Sequence, residues 1–143
     1  MSAKSTMRFE FNGVWSWPFQ CGMSRENVRR ILGRFEEFRK EPQALNTTDN
    51  FPDHRLHVYY DDRGDIRGIE FLRRSNLRFL GINPLSTTVS ELISALDRFG
   101  IEHRYAEGCI DCDSIGLSFY APDFIDEEDA IAWTLYAAVR PTP

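Results

Sequence analysis

The chain predicts an α+β fold: a twisted antiparallel sheet with two helices packed on one face, in a helix-then-meander order used twice. Three observations carry this. Residues 55–85, RLHVYYDDRGDIRGIEFLRRSNLRFLGINPL, read as three consecutive antiparallel strands with a charged hairpin between the first two. A capped amphipathic segment flanks them on each side, near residues 24–33 and 86–100. Each of those segments ends in glycine and runs on into antiparallel strands.

The elements follow in order. Residues 1–6 are read as a loose tail and residues 7–143 as a single globular domain, since 143 residues suffice for one hydrophobic core without disulfides or metal. Asn12-Gly13 lies between the apolar-alternating runs 8–11 and 14–17. That dipeptide favours a two-residue hairpin, because both turn positions need positive φ; a single bent strand is the alternative. Ser24 opens the first helix, with Glu26 in its first turn and Val28, Ile31 and Leu32 as its apolar stripe. Gly33 ends it. Residues 35–52, with Pro42, Asn46, Thr47, Thr48, Asp49, Asn50 and Pro52, read as a long polar loop or one holding a short helix at 34–39.

In the meander, Leu56, Val58 and Tyr60 share one face and His57 and Tyr59 the other. Ile69 and Phe71 alternate with Gly68, Glu70 and Leu72, and Leu77 and Phe79 alternate with Arg78 and Leu80. The second helix starts near Ser86 or Thr87 and carries Val89, Leu92, Ile93, Leu96 and Phe99 on one face, with Gly100 as its stop. Residues 102–105 and 114–120 read as strands. Residues 130–139 fit either element: their alanines favour a helix, but the alternation of Ile131, Trp133, Leu135, Ala137 and Val139 favours a strand.

Composition narrows the function classes. A net charge of −5 and a pI near 5.2 oppose nucleic-acid binding and docking on an anionic membrane, and suit a basic protein partner. No apolar run approaches the length of a membrane span and no export signal is visible, so a cytoplasmic location is expected. The three cysteines have no disulfide-framework spacing.

No catalytic motif stands out, and no cofactor or metal is expected. Cys109 and Cys112 form a C-x-x-C, but no second ligand pair completes a zinc site, and the motif sits beside a strand among Asp111 and Asp113. The histidines His54, His57 and His103 show no chelating or triad spacing. Asp61, Asp62 and Asp65 depart from calcium-loop spacing and read as a hairpin turn that uses Gly64 for positive φ. Glu70 stands between Ile69 and Phe71 in a central strand, so it is either paired with Arg67, Arg73, Arg74 or Arg78, or presented to a ligand or partner. Asp126, Glu127, Glu128 and Asp129 belong to the densest acidic run, a solvated loop or a patch for a basic partner. Trp15 and Trp17 share a strand face.

The segments GMSRENVRRILG, LNTTDNF, LHVYYDDRGDIRGIEF, FLGINPL and SIGLSFYAP resemble those of small bacterial immunity proteins found beside polymorphic toxins. The helix-then-meander order also resembles the layout of β-lactamase inhibitor proteins. The resemblance implies a non-enzymatic domain that neutralises a toxin by steric blockade, helped by acidic complementarity. Asp61, Asp62, Asp65, Glu70 and Asp126–Asp129 are the partner-binding candidates. The alternative is a small-molecule-binding or enzymatic domain with a pocket between sheet and helices, lined by Glu70, His57 and Tyr59.

Overall fold

The computed structural model describes residues 7–11 and 18–140. The expected tail, the Asn12-Gly13 hairpin and the Trp15/Trp17 pair lie outside these residues. The described chain forms strands β1 (Phe9–Phe11), β2 (Glu36–Phe38), β3 (Thr48–Phe51), β4 (Leu56–Tyr60), β5 (Ile66–Leu72), β6 (Leu77–Phe79), β7 (Arg104–Ala106), β8 (Cys109–Cys112), β9 (Leu117–Tyr120) and β10 (Thr134–Ala138). The helices are α1 (Arg25–Leu32) and α2 (Val89–Arg98).

Eight strands form one antiparallel sheet in the order β2-β3-β4-β5-β10-β9-β8-β7. This is two halves, each a helix followed by four consecutive sheet strands, joined where the last strand of one half meets the last strand of the other. The expected α+β class, with the helix-then-meander order used twice, is thus the observed one. The remaining strands, β1 and β6, pair in parallel as a separate two-stranded sheet. The third strand expected in the first meander, β6, therefore leaves the main sheet, and β10 takes its place beside β5.

The sheet has one apolar face. Phe51, Leu56, Phe71, Leu135, Phe119 and Ile110 are successive cross-strand partners and all fully buried. Beside them run Val58, Ile69, Ala137, Leu117 and Cys112. Val28 and Leu32 of α1 and Val89, Leu92 and Leu96 of α2 join the same continuous core. Both helices therefore cover this face, driven by apolar burial worth about 25 cal/mol per Å².

The first helix is capped by the expected Ser24, and the second starts slightly later than expected, capped by Thr88 rather than Ser86 or Thr87. Ser24 Oγ accepts the Asn27 N–H at 3.2 Å, and Thr88 Oγ1 accepts the Glu91 N–H at 3.2 Å. Gly33 follows α1 at φ 88°, a conformation that favours glycine. Residues 35–52 are not the loop or short helix expected: β2 and β3 occupy both ends of the segment. Residues 130–139 resolve to the strand alternative, with β10 at Thr134–Ala138. The C-x-x-C lies within β8, not in a loop.

α1 is also held by charge. Asp49 of β3 is fully buried on the helix-facing side, and Arg29 binds both of its carboxylate oxygens at 2.8 Å. The Tyr60 hydroxyl donates to Asp49 Oδ2 at 2.8 Å, and Arg25 lies 4.5 Å over the Tyr60 ring. Glu37 of β2 adds ion pairs with Arg25 at 3.5 Å and Arg29 at 3.6 Å.

Candidate functional site

The second face of the sheet carries neither helix. Across it runs one transverse row with a residue from every strand: Glu36, Asn50, His57, Glu70, Tyr136, Ser118, Asp111 and Arg104. Each is the direct cross-strand partner of the next, so all point the same way. Neighbours in the row interact. Asn50 donates to Glu36 Oε1 at 3.0 Å, Ser118 donates to Asp111 Oδ1 at 2.7 Å, and Arg104 approaches Asp111 at 3.9 Å.

Glu70 sits at the middle of this row. The Tyr59 hydroxyl donates to its Oε1 at 2.7 Å, Lys40 Nζ lies 3.4 Å from the same oxygen, and His57 Nδ1 lies 3.5 Å from it. The His57 distance is an electrostatic contact rather than a full hydrogen bond. Lys40 also donates to the Tyr59 hydroxyl at 2.8 Å. His57 is the largest influence lowering the Glu70 pKa, followed by the Tyr59 hydroxyl and the Lys40 charge; together they outweigh burial and take it down to about 2. The Tyr59 hydroxyl is pushed well above its ordinary range, first by burial and then by Glu70. Tyr136 is also raised, mainly by burial.

Aromatic rings frame the carboxylate. Phe38 packs edge-on against His57 at 5.1 Å, and the Tyr59 and Tyr136 rings lie 5.9 Å apart. Tyr136 lies across Gly68: a Cβ added there would stand 2.0 Å from the Tyr136 hydroxyl oxygen. Glycine is thus required for the ring to lie flat on the sheet. Beside these rings is an open cleft of about 770 Å³, lined by Tyr59, Tyr136, Arg67, Asp62 and the loop that carries Lys40 and Leu45.

The structure therefore brings Glu70, His57 and Tyr59 together, on the open face rather than between sheet and helices. The cation beside Glu70 is Lys40 and not one of the expected arginines. Arg73 instead donates to the Ile131 and Ala132 carbonyls, and Arg78 to the Gly81 carbonyl.

The aspartates of the β4–β5 hairpin do different work. Asp61 Oδ1 accepts the backbone N–H groups of Arg63 and Asp65 at 2.9 and 3.0 Å, which holds the turn and lowers its own pKa. Gly64 has the expected positive φ, 85°. Asp62 lines the cleft, and Asp65 forms a backbone bridge with Ser24. Asp126, Glu127, Glu128 and Asp129 are exposed on the β9–β10 loop, at the opposite end of the strands from that hairpin. The structure thus does not gather the candidates into one site.

The alternation of residues 131–139 places Trp133 in the core, but the structure leaves it exposed at the end of the β9–β10 loop, paired with Tyr120, the last residue of β9. Tyr120 and Trp133 are both substantially exposed and pack edge-on at 5.5 Å, with Trp133 Nε1 donating to Asp123 Oδ2 at 3.2 Å. Ile125, 76% exposed, is on the same loop. From residue 117 to 139 the chain has five carboxylates and no Lys, Arg or His. The spacing of Tyr120 and Trp133 gives no local signal, because their contact depends on the pairing of β9 with β10.

The cysteines carry no joint chemistry. Cys109 and Cys112, three apart in a strand, point to opposite faces, and burial pushes the Cys112 thiol up to about 11. Among the described residues no three His, Cys, Asp or Glu side chains form a metal-holding group. No described helix is long and apolar enough to cross a membrane. Comparison with family models, curated proteins and solved structures gave no match.

Proposed function

We propose that this chain is a non-enzymatic protein-binding domain that docks a partner on the open face of its sheet. In its most concrete form it is an immunity-type inhibitor that covers the active site of a basic bacterial toxin. The observation that carries the reading is the face of the eight-stranded sheet that neither helix covers, whose polar and aromatic side chains are already fixed by one another. Tyr and Arg on a pre-organised surface lose little entropy on binding. The net charge of −5 supports a basic partner.

Catalysis fits the site poorly. A general base works best with a pKa near the operating pH, whereas Glu70 is lowered to about 2 and Tyr59 is raised. The cleft of about 770 Å³ favours a second reading, a small-molecule site, with Arg67 and Tyr136 as its polar contacts.

The test is co-expression with the product of an adjacent toxin-like gene. Co-elution as a complex and protection of the host cells are expected. A Tyr136→Ala, His57→Ala double variant should lose at least about tenfold in affinity, the effect of removing central contacts. Capture that is unchanged in this variant, while it remains folded, overturns the open-face assignment.

A further inference from the structure

We propose that the centre of the open face accepts one cationic side chain of the docked partner, a lysine or an arginine, and that Lys40 occupies this place in the free chain. The inference rests on the docking reading above and specifies its partner chemistry.

Lys40 shows what the site accepts. Its ammonium stands 3.4 Å from Glu70 Oε1, donates to the Tyr59 hydroxyl, and lies 5.3 Å from the Tyr59 ring centroid. A carboxylate beside an aromatic face is the chemistry that recognises a cation. Tyr136 and the Phe38–His57 pair complete the frame. The Glu70 side chain is only 20% exposed, so the carboxylate itself is largely withdrawn from water and fixed in place for an incoming donor.

Lys40 is nevertheless weakly committed. It comes from the loop after β2, not from a strand, and its side chain is 51% exposed. An ion pair this exposed contributes little, because solvent screens it and a long flexible side chain must be ordered to make it. A partner's cation therefore replaces Lys40 at small cost, and an arginine adds a planar, forked set of donors.

The local charge favours such an exchange. The cleft and Glu70 together hold the cations Lys40 and Arg67 and the carboxylates Glu41, Asp62 and Glu70. With His57 counted as neutral, two positive and three negative charges sum to −1; moving Lys40 out leaves −2. The vacated site thus attracts a cation and not an anion.

The test uses the isolated chain and a monocationic probe, N-acetyl-arginine methylamide, with N-acetyl-aspartate methylamide as its anionic counterpart. Tyr59 and Tyr136 ring signals are followed by NMR during titration. The arginine probe should shift both rings saturably and bind about three- to fivefold more tightly to Lys40→Ala, as expected for removal of an exposed competitor. Adding Glu70→Gln should weaken that binding at least about tenfold. No tightening in Lys40→Ala, or preference for the aspartate probe, overturns the proposal. Lys40 is exposed, so its variant keeps the comparison valid even where Glu70→Gln fails to fold. The titration involves no protein partner: a toxin that binds without any probe effect removes this inference alone, and failed capture with a positive titration removes the docking reading alone.

Discussion

Asp49 and Glu70 are carboxylates on opposite faces of the same sheet, and their surroundings give them different roles. Asp49 is wholly buried, with both oxygens on Arg29 and a hydroxyl from Tyr60. Truncating it removes both of the 2.8 Å contacts of the guanidinium and leaves it only the longer ion pair with the more exposed Glu37. Asp49→Ala should cost about 3–5 kcal/mol, read from urea unfolding; a loss below about 1 kcal/mol would show that α1 is held by apolar packing alone. Glu70 is held by groups that solvent still reaches. Its folded pKa of about 2 lies below the ordinary value of 4.5, so its contribution to stability is fully present above about pH 4.5 and disappears as pH falls toward 2. After allowance for solvent screening this amounts to about 1 kcal/mol. Acid unfolding of Glu70→Gln should therefore show a shallower loss across that window than the parent chain; coincident curves would contradict the assigned pairing. Glu70 was legible from sequence as an odd charge in an apolar strand. Asp49 was not, since it sits in a polar run where one more acidic residue carries no contrast.

The elements that sequence revealed are those with a complete local signal. Both helices have a hydroxyl cap, an apolar stripe and a terminal glycine or nearby glycine, and both form where that pattern places them. The β4–β5 hairpin has strong alternation around a glycine turn, and it also forms as read. Strands β2, β3 and β8 escaped because their stability comes from neighbours distant in sequence. Glu36-Glu37-Phe38 has little intrinsic preference for a strand, yet β3 supplies its partners and Arg25 and Arg29 neutralise Glu37. β8 is joined to β7 by Glu107-Gly108, both at positive φ, a two-residue turn in which glutamate is an unusual first residue. β6 had the alternation of a sheet strand, but the identity of its partner is not a local property. β1 claims it in parallel, and β10, some 60 residues beyond β5, fills the vacant edge.

At the scale of the whole molecule, charge and surface are distributed unevenly. The β9–β10 loop is a long anionic stretch beside the exposed Tyr120–Trp133 pair, and its Asp126–Asp129 side chains appear in no ion pair among the described residues. Such a patch acts on encounter more than on the final complex. Glu127→Lys with Glu128→Lys should lower the association rate for a basic partner several-fold at low salt and leave dissociation nearly unchanged, measured by stopped-flow binding; an unchanged association rate would remove the steering role. The seam between the halves has a wider effect. Only five cross-strand pairs, Thr134–Leu72 through Ala138–Gly68, align one half with the other. A slip of one residue there would turn Glu70 or Tyr136 inward toward the helices. A slip of two would preserve the faces but set Glu70 opposite Thr134 or Ala138, breaking the transverse row into two unrelated fragments. The seam is therefore a vernier: it adds little surface of its own, yet its setting determines whether two four-stranded meanders read as one recognition surface or as two.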